Sequence, residues 1–157
     1  MVRGKGTPEY IARGWAIGMF FGCFIPFGFQ LIMSIPTSIF LKGSKIGAVV
    51  GTLITNPVTI FFIYPFQCYI GNRIMGGHLS WDRCARLMSN LTDNQLSFRE
   101  AIQEFANLGG SLIAAFFIGG ALITAIMTPL TYFVVRKLVL RYREFRSRRN
   151  AAISRAE

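Results

Sequence analysis

Charge is absent from three long stretches of this chain, residues 14–41, 46–72 and 105–135, which run for 28, 27 and 31 residues. A bilayer core of ~30 Å takes ~20 helical residues, so each stretch can span with residues left over. Each also contains a proline in a small polar setting: Ile25-Pro26-Phe27-Gly28-Phe29-Gln30, Thr55-Asn56-Pro57-Val58-Thr59 and Thr128-Pro129-Leu130-Thr131. Irregular backbone at membrane depth survives only where protein or a water-lined cavity satisfies its polar groups. The pattern predicts an all-α membrane protein. Three apolar blocks with proline-broken helices form one domain over residues 1–140, and a basic tail covers 141–157.

Thr7-Pro8-Glu9 starts a helix: Thr caps, Pro fits the first helical position, and Glu9 faces the positive end of the dipole. Block one then runs through Gly14, Gly18 and Gly22, and Gly47 and Gly51 repeat the spacing in block two. Such stripes let helix backbones approach closely, within this chain or between copies. Pro26 removes a helical hydrogen bond and Gly28 supplies unusual dihedrals, so block one is either a kinked span or a re-entrant hairpin of two half-helices. The polar segment 73–104 predicts two short helices, interfacial or packed as a lid. One covers 80–90 with Trp81, Leu87 and Met88 on a face. The other opens with the capping box Ser97-Phe98-Arg99-Glu100 and spaces Phe98, Ile102 and Phe105 helically.

The chain is 52% hydrophobic with a net charge of +10. That charge does not point to nucleic acid, because the positives flank apolar blocks and no nucleic-acid motif accompanies them. It points to anionic lipid headgroups and to orientation. The tail from Arg136 holds eight Lys/Arg against Glu144 and Glu157, the loop 42–45 holds Lys42 and Lys45, and 73–104 is neutral. The positive-inside rule places the tail and the loop in the cytoplasm and 73–104 outside. Arg3, Lys5 and Arg13 prefer the cytoplasm too, which favours the re-entrant form of block one. The chain start does not read as a cleavable signal peptide, because the first apolar block is too long. Cys23, Cys68 and Cys84 show no CxxC spacing and predict no disulfide, and a lone His78 excludes a His-rich metal site.

Shifting residues 47–62 by 72 places Gly47 on Gly119, Thr52 on Thr124, Ile54 on Ile126, Pro57 on Pro129, Thr59 on Thr131 and Phe61 on Phe133. This faint repeat would be inverted if blocks two and three run in opposite directions, as in many transporters. Several of these residues carry a likeness. Thr7-Pro8, Ile11-Ala12, Gly14, Ala16 and Gly18, then Pro26-Phe27-Gly28-Phe29-Gln30, Gly51-Thr52 and Thr55-Asn56-Pro57-Val58-Thr59 resemble the bacterial membrane family known as domain of unknown function 2062. The match covers residues 7–140, and Asn-Pro-x-Thr is its most specific part. The family usually opens with Ser-Pro, and Thr7-Pro8 keeps the cap. The resemblance implies a multi-pass bacterial inner-membrane protein and brings no activity, cofactor or catalytic residue.

No enzyme constellation is visible. No Asp, Glu, Lys, Arg or His lies inside any apolar block, and catalysis would need a proton acceptor or metal ligand there. The reading is therefore a non-enzyme without cofactor or metal. Neutral polar groups remain at the breaks. Pro26, Gly28, Gln30, Thr55, Asn56, Pro57 and Thr59 form the candidate substrate site, where broken helices would free backbone groups toward an anionic or amphipathic substrate. The same residues serve equally as glue between helices. Two functions stay open: transport or lipid-headgroup handling at the breaks, and a structural or accessory subunit packed through the glycines into a homo-oligomer or larger membrane complex.

Overall fold

The first helix opens as its sequence dictates. The Thr7 hydroxyl accepts from the Tyr10 N–H at 3.2 Å, Pro8 and Glu9 sit in the first turn, and α1 runs Pro8–Phe24. A residue before proline is pushed into extended backbone. Ile25 is extended accordingly (φ −108°, ψ 138°) and the helix stops. The computed structural model describes residues 6–26, 29–54, 56–91, 99, 103 and 109–153. Gly28, Thr55 and, apart from Arg99, the capping box at 97–100 lie outside them. Every regular element among the described residues is helical: α2 (Gln30–Phe40), α3 (Lys45–Thr52), α4 (Pro57–Ile74), α5 (Trp81–Leu91) and α6 (Gly110–Ile153) follow α1.

Block one folds back on itself. The Ser44 N–H donates to the Tyr10 carbonyl at 3.0 Å, and Arg13 Nη1 donates to the Leu41 carbonyl at 3.1 Å. Both ends of the block therefore lie at one end of the molecule, called the foot below. From there α3 climbs beside α1, with Gly14 on Ser44 and Gly18 on Ala48 and Gly51. A Cβ on Gly18 would come within 2.8 Å of Gly51 Cα, and one on Gly51 within 2.5 Å of the Trp15 carbonyl. Gly47 approaches Ile11 and Trp15, and Gly22 is buried on α1. The glycine stripes of blocks one and two thus join helices of this chain.

α6 runs antiparallel to α1. Phe117 meets Phe24 edge-on at 5.5 Å, Arg136 pairs with Glu9 at 3.0 Å, and Arg143 donates to the Gly6 carbonyl at the foot. The upper part of α6 carries α4, also antiparallel, with Gln67 on Gly119 and Gly71 on Ala115. Ile60, Tyr64, Cys68 and Phe116 form the core there, closed by Cys84 of α5. The end of α4 at Ile74 consequently lies opposite the foot. Of the predicted short helices, the one at 80–90 is α5, packed on α4 as a lid.

The blocks do not become three spanning helices. The breaks divide block one into helices of 17 and 11 residues and block two into 8 and 18. Among the described residues, only α6 is long and apolar enough to cross a membrane as one helix. Its best 18-residue window has a mean hydropathy of 2.1 and is 28% buried, unlike the mostly buried core helix of a soluble protein. The expected break at Pro129 is absent, since α6 continues through it. Proline forfeits one helical hydrogen bond, and the chain leaves the helix where a neighbour offers a better partner. Asn56 is such a cap before Pro57; Thr128 before Pro129 is not. Pro36 and Pro65 also lie within helices. The internal repeat diverges at this point. Thr52 and Thr124 are both buried and donate to the carbonyl three residues back, at 2.7 and 3.0 Å, but α3 ends at Thr52 where α6 goes on.

Candidate functional site

The second break is built by Asn56 and Thr59. Asn56 Oδ1 accepts from the N–H groups of Val58 and Thr59 at 2.9 and 3.0 Å. Thr59 Oγ1 accepts from the Asn56 N–H at 2.9 Å and donates to the Ile54 carbonyl at 2.5 Å. This is a capping box, with Pro57 at the first helical position. It satisfies amides at the start of α4. Gln30 begins α2 and is buried with Ser34 and Ser38, one turn apart, along the same face. Pro26 is half-buried just after α1. The sequence-derived site thus divides into a local cap and a buried polar row.

Polarity in α2 is inverted relative to a soluble helix. Gln30, Ser34 and Ser38 face inward, while Leu31, Ile32, Ile39 and Phe40 face outward, Phe40 at 85% exposure. On α4, Val58 and Phe62 are 72% and 70% exposed while Gln67 is fully buried, its Nε2 donating to the Phe116 carbonyl at 3.0 Å. Buried polar groups must be hydrogen-bonded, and large exposed apolar area is rare on monomers in water.

Along α6 lie two adjoining, half-open apolar cavities, the upper against α1 and α4 and the lower against α1. The upper, of about 540 Å³, is walled by Cys23, Phe62, Phe66, Trp81 and Leu122 among others. The lower, of about 660 Å³, is walled by Ile11, Trp15, Leu130, Val134, Leu138 and Tyr142 among others. Met19, Ile54 and Met127 line both. None of Pro26, Gln30, Asn56 or Thr59 lines either cavity. The only signal for this space in the sequence was the run of apolar residues on three helices, which does not say where helices part.

The foot beneath the lower cavity is basic. Arg13, Lys42, Lys45, Lys137, Arg141 and Arg146 are exposed there or on the last helix. Glu9, which faces Arg136, has its carboxyl held below the ordinary range, first by a hydrogen bond from its own backbone N–H and then by the Arg136 guanidinium.

The family model described as "Uncharacterized protein conserved in bacteria (DUF2062)" matches residues 1–148. The chain belongs to the DUF2062 family. No curated protein and no solved structure matches it. The residues that first resembled DUF2062 now have structural roles: Thr7-Pro8 caps α1, Gly14, Gly18 and Gly51 seat α3 on α1, and Asn56-Pro57-Val58-Thr59 opens α4. Those roles explain the fold of this DUF2062 protein and name no reaction.

Proposed function

We propose that this DUF2062 protein is a multi-pass protein of the bacterial inner membrane that handles lipid, without catalysis, in the apolar cavities along α6. The observation that carries the reading is a pair of half-open grooves walled by hydrocarbon on a protein whose outer face is also hydrocarbon. Such a space favours acyl chains over polar solutes. In this reading α3 with α4 crosses once and α6 crosses back, while α1 and α2 enter and leave from the cytoplasmic side. The contacts of Ser44 with Tyr10 and of Arg136 with Glu9 support that arrangement by gathering the basic segments at the foot. At ~1.5 Å per residue α6 is ~66 Å long, so its basic end extends well past a ~30 Å core.

The accessory-subunit reading draws on the capping box at Asn56 and Thr59, which uses the Asn56 side-chain oxygen and the Thr59 hydroxyl within the chain. The glycine stripes, occupied within the chain, offer no smooth face to a second copy. Purification from native membranes in mild detergent, with retained lipids and proteins identified, separates the two. Stoichiometric phospholipid is the expected result; a stoichiometric protein subunit with no retained lipid would favour the accessory role.

A further inference from the structure

We propose that the lower cavity binds one anionic phospholipid of the cytoplasmic leaflet, its acyl chain between α1 and α6 and its phosphate at Arg141 and Arg146. The inference rests on the lipid reading above and names its ligand class. Length is the first argument. The lower cavity follows α6 from Met127 to Tyr142, ~22 Å of helix. One leaflet with its headgroups occupies about half of ~40–45 Å, so a single lipid fits the span. Lining is the second, since the walls offer almost only apolar atoms and accept hydrocarbon.

Charge selects the headgroup. The cavity face of α6 passes through Leu138 and Tyr142. Arg141, three residues after Leu138, and Arg146, four after Tyr142, flank the lower end of that face on its two sides. Both are exposed, and no ion pair among the described residues takes either. Two neighbouring cations are already engaged: Arg136 with Glu9 and Arg143 with the Gly6 carbonyl. These contacts tie α1 to α6 alongside the cavity and at its lower end. A second copy of the chain is a poorer occupant, because it would bring two basic rims together.

Trp15 lines the cavity, and Trp81 is the other of the chain's two tryptophans. Trp81→Phe therefore leaves Trp15 as a single probe. The full chain is reconstituted in phosphatidylcholine vesicles containing increasing fractions of phosphatidylglycerol or phosphatidylcholine with brominated chains, and Trp15 fluorescence is read. The expected result is quenching at lower fractions of the brominated phosphatidylglycerol. Arg141→Gln and Arg146→Gln should each shift that curve about fivefold to higher fraction and leave the brominated phosphatidylcholine curve in place. Equal quenching by the two lipids would overturn the anionic site and leave lipid occupancy standing. Quenching by neither would overturn both. A Val134→Cys variant lacking the native cysteines that cross-links into dimers in the membrane would assign the groove to a second copy and overturn the proposal.

Discussion

Asn56 and Thr59 cap each other: the Asn56 side chain accepts from the Thr59 N–H at 3.0 Å, and the Thr59 hydroxyl accepts from the Asn56 N–H at 2.9 Å. The most specific part of the family resemblance is therefore a helix start. In lipid such a start has no water to fall back on, which raises the worth of a complete cap.

Asn56→Leu keeps the side-chain size and removes the acceptor. It should lower stability by ~1 kcal/mol, within the 0.5–2 range of lost caps. Thr59→Val should do the same, and the double variant should lose less than the sum, because each partner already disables the other. Thermal unfolding in nonionic detergent, with and without added phospholipid, measures this. Unchanged stability with lost lipid retention would return Asn56 to a binding role.

Two helix ends share one hydrogen-bond pattern and differ in one residue. After α4, the Gly76 N–H reaches the Arg73 carbonyl and the Gly77 N–H the Asn72 carbonyl, with Gly76 at φ 76°. After α2, the Lys42 N–H reaches Ile39 and the Gly43 N–H reaches Ser38, with Lys42 at φ 51°. Both are Schellman motifs, and the left-handed position costs a non-glycine residue ~1–2 kcal/mol. Lys42→Gly should raise the melting temperature, and Gly76→Lys should lower it. A melting temperature that falls in Lys42→Gly would mean that the lysine's own contacts outweigh its backbone strain.

Much of this fold was legible in residue type. Thr7-Pro8 announced a helix start, Asn56-Pro57 a helix break, and Gly14, Gly18 and Gly51 a close crossing. What the sequence could not convey was which prolines break a helix. Pro26 and Pro57 stand at breaks and Pro36, Pro65 and Pro129 do not, because the outcome depends on what the freed carbonyl meets in three dimensions. Nor could it show that Gln67, Gly71 and Gly119 meet. That crossing joins positions about 50 residues apart with no shared motif. The cavities were invisible for the same reason: apolar residues that pack and apolar residues that line a gap look alike.

The α4–α6 crossing has no room for a methyl group. A Cβ on Gly71 would come within 2.6 Å of the Ala115 carbonyl carbon, whereas one on Gly110 meets nothing within 4 Å. Gly71→Ala should therefore cost ~1–3 kcal/mol through overpacking, and Gly110→Ala should be neutral or slightly stabilising. Detergent-solubilised yield and melting temperature of the two variants compare them directly. Equal behaviour would show that the helices can part at this point without penalty.

The Glu9–Arg136 pair joins the two ends of the sequence at the foot. The Glu9 carboxyl titrates below its ordinary value, held there by its own backbone N–H and then by Arg136. A depressed carboxyl stabilises the fold above the unfolded-state value, near pH ~4.3, and that contribution disappears as pH falls through the folded value. Wild type should melt slightly above Glu9→Gln at pH 7, and the gap should close below about pH 4. Both partners are solvent-exposed, so the gap is small and high salt should narrow it. A gap that persists unchanged in acid would assign the effect to side-chain packing.

Orientation is testable with two serines, one on the basic extension of α6 and one on α5. Ser147 lies on the basic extension of α6, below Arg143 and the foot, and Ser89 lies on α5, which packs against α4. If the basic foot is cytoplasmic, as the excess of Lys/Arg requires, a membrane-impermeant maleimide added to intact inner-membrane spheroplasts should label Ser89→Cys and spare Ser147→Cys. The background must lack Cys23, Cys68 and Cys84, which are buried. Cysteine-to-alanine replacements there need a check that melting temperature is retained, since two of the three sit in the α4–α5 core. Permeabilised cells supply the reciprocal control, in which both positions should react. Labelling of Ser147→Cys alone in intact spheroplasts would invert the topology, and with it the assignment of the lower cavity to the cytoplasmic leaflet. Labelling of both would place the two ends on one side and remove α6 as a spanning helix.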